Sequence, residues 1–444
     1  MSVTPFIEGD FRENGPFEYE GELDSEHINV SNEENEQDIK KIKLFGLHKF
    51  GPGYSFGYYI GLGWFNNDKT QAIYVRPKIN NLDYNRMFMS CLESKEVRKH
   101  LSSVYDVRLD EKFIIPPQQK NRVNLLPIII YHYLFLLKKD LIKKPLMKAY
   151  INRQENLKAK VKGKIMVSSH IKKNISNYRE DRIMCFFDEY SPDCPANRLL
   201  HSAYKMGIQY LKTVEQMQER DAVEYSSIEK YFDEIGYLHS YSETAKIKTN
   251  PLYMHYKEPL RLAKIIYRYF TYQYETNDKT VQANKPMPPF IINMATLFEL
   301  YVYTKLLKTG HSIEYHPRGN GGEEPDFIDK TENSEMIIDT KYKEIYTTNS
   351  YDRADIRQLS GYARDTEILK KIFGKVKDTQ GNPAWDTILD CLIVYPDMDN
   401  GLDKIPEDFN LEMKNHKIEN FHKFYKLGTK LPEMGTAAGS RDQA

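Results

Sequence analysis

Two short runs, Glu324-Pro325-Asp326-Phe327 and Met336-Ile337-Ile338-Asp339-Thr340-Lys341, constrain this chain more than any other part of it. They are separated by Asp329-Lys330-Thr331-Glu332-Asn333-Ser334, a polar, turn-forming stretch between apolar flanks, so they read as the two arms of a β-hairpin. Side chains alternate faces along a strand, which puts Asp339 and Lys341 on one face and Ile338 and Thr340 on the other. A turn centred on Glu332-Asn333 sets Asp326 directly opposite Asp339. Facing carboxylates repel unless a cation lies between them, and hard oxygen donors with room for water suit Mg²⁺, with Mn²⁺ as a substitute. The pattern therefore predicts a metal site held by Asp326 and Asp339 with Lys341 beside it.

That constellation points to phosphodiester hydrolysis. A bound Mg²⁺ polarises a phosphoryl oxygen and lowers the pKa of a bound water, while Lys341 orients that water or stabilises the charge that builds up. Upstream, Pro288 to Val302 predicts a strongly apolar helix with Glu299 as its one acid. An acid among core residues is costly unless it is paired or metal-bound. Glu299 either pairs with Lys305 or Lys308 as a helix-face charge, or serves the site. Downstream, Asp355 to Arg364 predicts another helix, with Ile356, Leu359 and Ala363 on one face. Gln358 and Tyr362, four residues apart, share an adjacent face that meets the strand ends or merely packs. The candidate catalytic residues are Asp326, Asp339, Lys341, Glu299 and Gln358; the bland alternative is a surface hairpin with solvated charges.

With 444 residues and 40% hydrophobic content the chain can bury two or three cores, and its formal net charge of +0 leaves any nucleic-acid contact to local patches. Cys91, Cys185, Cys194 and Cys391 are scattered without metal-ligand spacing, which fits a reducing, cytoplasmic setting and argues against a structural zinc. No secretory signal is expected. The longest apolar run, Leu125 to Leu137, is too short for a membrane span and reads as a buried helix. Gly51-Pro52-Gly53-Tyr54-Ser55-Phe56-Gly57 lacks the lysine of a phosphate-cradling loop, so nucleotide binding is not expected of this polypeptide. His132 and His201 lie in apolar helical stretches and read as core residues.

Along the chain, residues 1–40 form an acidic extension expected to be flexible, and 41–285 an N-terminal partner-binding region that is first β-rich and then helical. Tyr58 to Phe65 and Gln71 to Ile79 predict a hairpin around Asn66-Asn67-Asp68-Lys69, followed by helices near Met87 to Leu101 and Leu125 to Asp140. Residues 143–173 are basic, and Leu157 to Ile165 predicts a strand with Lys158, Lys160, Lys162 and Lys164 along one face. That face follows a phosphate backbone, docks on an acidic partner, or is simply solvated. After a linker through Pro286, residues 286–432 form the predicted nuclease domain, and 433–444 a disordered tail or appended scar. The fold class expected is a multidomain α+β or α/β protein: an N-terminal mixed β-rich module, a helical middle, and a C-terminal mixed central sheet flanked by helices.

A helix with Glu, a strand with Pro-Asp, a strand with Asp-x-Lys and a helix with Gln-x-x-x-Tyr resemble, in content and order, the PD-(D/E)xK nuclease superfamily. Ile73-Tyr74-Val75-Arg76-Pro77-Lys78-Ile79, Lys162-Gly163-Lys164-Ile165, Asp193-Cys194-Pro195-Ala196-Asn197-Arg198-Leu199-Leu200, Phe298-Glu299-Leu300-Tyr301-Val302 and Asp339-Thr340-Lys341-Tyr342-Lys343 narrow the likeness. Together they resemble the McrC subunit of McrBC modification-dependent restriction systems over roughly Lys41 to Tyr395. The resemblance implies a Mg²⁺-dependent endonuclease that cuts double-stranded, methylcytosine-containing DNA. It also implies an N-terminal region that engages an McrB-like AAA+ GTPase hexamer and stimulates its GTPase, the partner reading the modified base. The extension before Lys40 matches nothing in that family. The alternatives are a repair or recombination nuclease without a GTPase, and a non-catalytic activator of an AAA+ enzyme.

Overall fold

The computed structural model describes residues 6–7, 10–17, 23, 39, 42–109, 111–115, 124–213, 225–247, 251–275, 286–320, 322, 324–348, 350–374, 388–408, 412–413 and 416–434. The linker expected at 276–285, the tail from 435 and most of the acidic extension lie outside these. The chain divides into two units, one combining 1–124 with 283–444, the other comprising 125–282. The expected boundary near residue 285 therefore does not separate an intact front region from an intact nuclease region, for a reason that lies in one strand.

At the front of the first unit, β1 (Pro16–Phe17), β2 (His48–Phe50) and β3 (Gly53–Ser55) form a sheet in the order β1-β3-β2, so the Gly51-Pro52-Gly53 run is a hairpin turn. Phe11 and Phe17 are buried in a core with Phe45, Phe56 and Ile73, and Phe6 and Arg12 bridge to Ala72 and Arg76. The described part of the acidic extension is thus packed rather than flexible, because its aromatic residues bury apolar area and its backbone finds strand partners. The predicted hairpin is present as β4 (Tyr59–Trp64) and β5 (Ala72–Val75), its turn closed by the Asn66 side chain, which accepts the amides of Thr70 and Gln71 at 3.2 and 2.8 Å. The helix expected over Met87 to Leu101 is broken. Helix α1 (Tyr84–Glu93) stops at Ser94, whose extended backbone and hydroxyl cap α2 (Lys95–Arg98), and β6 (Tyr105–Val107) follows.

The second unit holds α3 (Leu126–Leu136), β7 (Ala149–Lys158), β8 (Lys164–Ile165), α4 (Val167–Lys173), β9 (Arg182–Ser191), α5 (Pro195–Thr213) and α6 (Lys257–Glu275), with strand order β7-β9-β8. Ten of the eleven residues of α3 are buried, as its all-round apolar sequence requires. No helix among the described residues is long and apolar enough to cross a membrane. At the start of α5 Arg198 pairs with Asp193 at 2.6 Å and Asp193 accepts the Gly236 amide at 2.9 Å, so the Asp193 to Arg198 motif fastens this helix to a following loop. His201 is a satisfied core residue, its Nδ1 2.7 Å from the Ile235 carbonyl.

The chain then returns to the first unit. Residues 288–302, expected as one helix, are a strand, β10 (Phe290–Asn293), followed by a helix, α7 (Met294–Leu307). Strand β10 inserts between β4 and β6 to give the order β5-β4-β10-β6, and so binds the C-terminal half to the front module. Gly61, which pairs with Ile291, has φ 142°, and a Cβ there would lie 2.2 Å from the Phe290 carbonyl oxygen. Asn293 caps α7 by accepting the Thr296 amide at 3.1 Å. Beyond α7 lie β11 (Ile313–Tyr315), β12 (Phe327–Asp329), β13 (Met336–Thr340), α8 (Arg353–Tyr362), α9 (Thr366–Phe373), β14 (Asp390–Pro396) and β15 (Phe424–Thr429). Their sheet runs β11-β12-β13-β14-β15, antiparallel across the first three strands and parallel across the last three. One face, through Ile328 and Ile337, packs on Tyr362, Ile368 and Leu369; on the other, Phe327 meets Tyr303 of α7. The sheet is mixed and carries helices on both faces.

Candidate active site

Cross-strand register places the central groups. Strand β12 pairs with β11 through Tyr315 and Phe327, and with β13 through Phe327 and Ile338. Continuing each ladder by one residue puts His316 opposite Asp326 and Asp326 opposite Asp339, and the His316 amide donates to the Asp326 carbonyl at 2.9 Å. Asn333, at φ 64°, supplies the left-handed turn conformation that sets this register. Asp326 and Asp339 therefore face each other as the turn position implied.

Around that row the side chains interlock. An Asp326 carboxylate oxygen accepts both the amide and the hydroxyl of Thr340. Asp339 forms an ion pair with Lys341 at 2.6 Å; Lys341 donates to Gln358 Oε1 at 2.9 Å, and Gln358 donates to the Tyr362 hydroxyl at 2.7 Å. Glu299 pairs with neither Lys305 nor Lys308. Lys305 donates to Thr429 Oγ1 at 2.6 Å, Lys308 meets Glu93 at 2.9 Å, and Glu299 lies 2.7 Å from His316 Nε2. All five candidate catalytic residues, together with His316, line one cleft of about 1470 Å³ within the first unit.

Burial, and then the neighbouring Glu299, push the Asp326 carboxyl up to about 7 despite Lys341; burial, and then Asp326, do the same to Asp339. Burial by itself would lower Lys341, yet Asp339, Asp326 and Asp355 outweigh it and hold the ammonium above its ordinary range. His316 is likewise raised, its burial outweighed by Glu299, Asp326 and Glu324. The site thus gathers more negative charge than its own cations neutralise, which suits a divalent cation. Glu299, His316 and Asp326 converge as well, their ligand atoms all lying within 4.8 Å of one another. Asp339 is paired with Lys341 beside them.

Four neighbours of the site were given no role by the sequence. Lys343, next in the alternation 339, 341, 343, lies 2.8 Å from Asp352 and 3.0 Å from Asp355, and Asp355 also stands 3.7 Å from Lys341 and accepts from Tyr346 at 2.6 Å. Their period-two and helix-start positions were readable. His316 was not, because β11 has three residues and no alternation to betray it. Lys78, from the Val75-Arg76-Pro77-Lys78 motif, donates to the carbonyl of Tyr342 and sits 4.1 Å from that ring's centre, bracing the chain just past Lys341.

The lysine-lined strand is a correction. Leu157 to Ile165 is not one strand: β7 ends at Lys158, Ala159 is left-handed at φ 52°, and Gly163 at φ 68° carries the chain to the opposite edge of β9. A Cβ on Gly163 would lie 2.3 Å from the Phe186 carbonyl oxygen, so the alternation of lysines is interrupted by a crossing that glycine makes possible. Lys158, Lys160, Lys162 and Lys164 are all exposed but share no single strand face, and Lys162 lies 4.0 Å over the Phe187 ring and 3.7 Å from Glu189.

A family model described as "McrBC 5-methylcytosine restriction system component" matches residues 56–371. No curated protein matches. Among solved structures, the chain is similar to one chain of a half-complex from a tetradecameric assembly of Thermococcus gammatolerans McrB AAA+ hexamers with bound McrC. Identity there is 15% and the TM-score 0.40, over 90% of this chain and 84% of that one. A cryo-EM structure of the Thermococcus gammatolerans McrBC complex is similar at 15% identity and TM-score 0.29, over 64% of this chain and 76% of that one.

Proposed function

The chain belongs to the family of McrBC 5-methylcytosine restriction system components, and from that premise we propose that it is the McrC-type nuclease subunit, a metal-dependent endodeoxyribonuclease with a PD-(D/E)xK catalytic core. The observation that carries this reading is the convergence of Glu299, Asp326, Asp339, Lys341 and Gln358 in one cleft. Separate helices and strands bring these residues together, and bare structural ion pairing does not call for two facing buried carboxylates.

Asp326, with Glu299 or Asp339, would hold a Mg²⁺ or Mn²⁺ ion. When bound, that ion supplies Lewis-acid polarisation of the scissile phosphate and acidifies a water. Lys341, kept protonated by the surrounding carboxylates, presents a cation for the charge that accumulates on the phosphoryl oxygens. Gln358 fixes the direction of that ammonium and is itself fixed by Tyr362. Thr340 orients Asp326 through its amide and hydroxyl. In this reading the chain works with an McrB-like AAA+ GTPase whose turnover it stimulates, and the partner selects methylated DNA. The basic, exposed β7–β9 region is the surface of the second unit assigned to partner or DNA contact.

The test is cleavage of methylated and unmethylated plasmid by this chain, with and without an McrB-like partner and GTP. The expected result is double-strand cutting of methylated plasmid only with both partner and GTP. Cutting of unmethylated plasmid by the chain alone would favour a repair-type nuclease. Stimulated GTP turnover without any cutting would reduce the chain to an activator.

A further inference from the structure

His316 has no role in the superfamily motif, yet it lies among the carboxylates of the cleft. It stands opposite Asp326 on the adjoining strand, with its amide bonded to the Asp326 carbonyl at 2.9 Å and its Nε2 2.7 Å from Glu299. The ring is stacked on Tyr315 with centroids 4.0 Å apart and 15° between planes, and Tyr315 is in turn stacked on Tyr303 at 5.0 Å. Its other nitrogen, Nδ1, faces Glu324 at 3.8 Å, and Glu324 is held by Arg318 at 3.0 Å. Nε2 is thus aimed at Glu299, with the Glu324 carboxylate behind Nδ1 at ion-pair rather than hydrogen-bond distance.

We propose that His316 Nε2 is a direct ligand of the divalent ion, with Glu299 and Asp326 as the other protein donors, and that this nitrogen makes the site prefer Mn²⁺ over Mg²⁺. The inference rests on the metal-dependent reading above. Glu299, His316 and Asp326 offer one nitrogen and two carboxylate oxygens within 4.8 Å of one another. The proton shared by His316 and Glu299 leaves to solvent as the cation takes its place. Mg²⁺ demands oxygen donors and dehydrates reluctantly, whereas first-row transition ions accept imidazole readily, so the histidine adds affinity for one class and little for the other.

Mn²⁺ bound to the full-length protein reports this directly in electron spin echo modulation, where a coordinated imidazole nitrogen gives its own coupling. The expected result is a nitrogen coupling in the wild type that is absent from His316→Gln and His316→Ala. Titration by the free-Mn²⁺ signal should show affinity falling about tenfold or more in both variants. Mg²⁺ affinity, read by competition, should change by less than about threefold. Mn²⁺ bound without nitrogen coupling, or bound equally well by the variants, overturns the assignment; the wild-type spectrum decides alone if the variants do not fold. Plasmid cutting by a protein whose Mn²⁺ shows no nitrogen overturns His316 only. A nitrogen-coupled ion with no cutting leaves His316 standing and overturns the nuclease reading.

Discussion

Asp326 and Asp339 are held in a state that favours function over stability. Both carboxyls are pushed up to about 7, by burial and then Glu299 at Asp326 and by burial and then Asp326 at Asp339, whereas unfolded carboxyls titrate at about 4. Between those values the folded, metal-free protein binds the extra protons, so their contribution to stability falls as pH rises through that window and is level above it. Asp326→Asn or Asp339→Asn should therefore raise the melting temperature of metal-free protein at pH 8 and lose that advantage at pH 4, measured by scanning fluorimetry. Divalent metal should stabilise the wild type at pH 8 and Asp326→Asn far less. At this scale the sequence was legible where alternation carried the information, since Asp339 and Lys341 share a face opposite Asp326; whether Gln358 met the strand ends or merely packed was left open by its spacing. His316 and the Lys341 hold on Asp339 depend on a third strand and on packing that spacing does not encode.

Strand β10 is the element on which the first unit turns. Its apolar run, Phe290-Ile291-Ile292, suits a buried helix or a buried strand equally, and only partners on both sides decide for a strand. Gly61 makes that pairing possible. Gly61→Ala should destabilise the first unit by about 2–4 kcal/mol, the sum of backbone strain and a clash with β10, and should do so without touching the cleft. Denaturant unfolding followed by tryptophan emission from Trp64, on β4 beside it, is the readout. An unchanged midpoint would mean that β4 and β10 do not pair as described. Gly163 repeats the lesson in the second unit, where a lysine alternation suggested one strand and a left-handed glycine divided it.

At the scale of the whole molecule, one unit is continuous in sequence and the other is not. A fragment ending near residue 276 would leave β4 and β6 without β10, so it should be poorly soluble, whereas 125–282 alone should give a cooperative unfolding transition. If partner contact belongs to this second unit, the 125–282 fragment should also raise GTP turnover by an McrB-like hexamer. Folded fragment with unchanged turnover would move partner contact to the first unit. The discontinuity was invisible in the sequence because composition changes at the linker while backbone pairing does not. Plasmid cleavage by Asp326→Asn and Asp339→Asn, assayed with partner, GTP and metal beside the wild type, tests the central assignment most directly. A loss of about 100-fold or more in cutting, with partner stimulation intact, is the predicted result; near-wild-type cutting by either variant would contradict it.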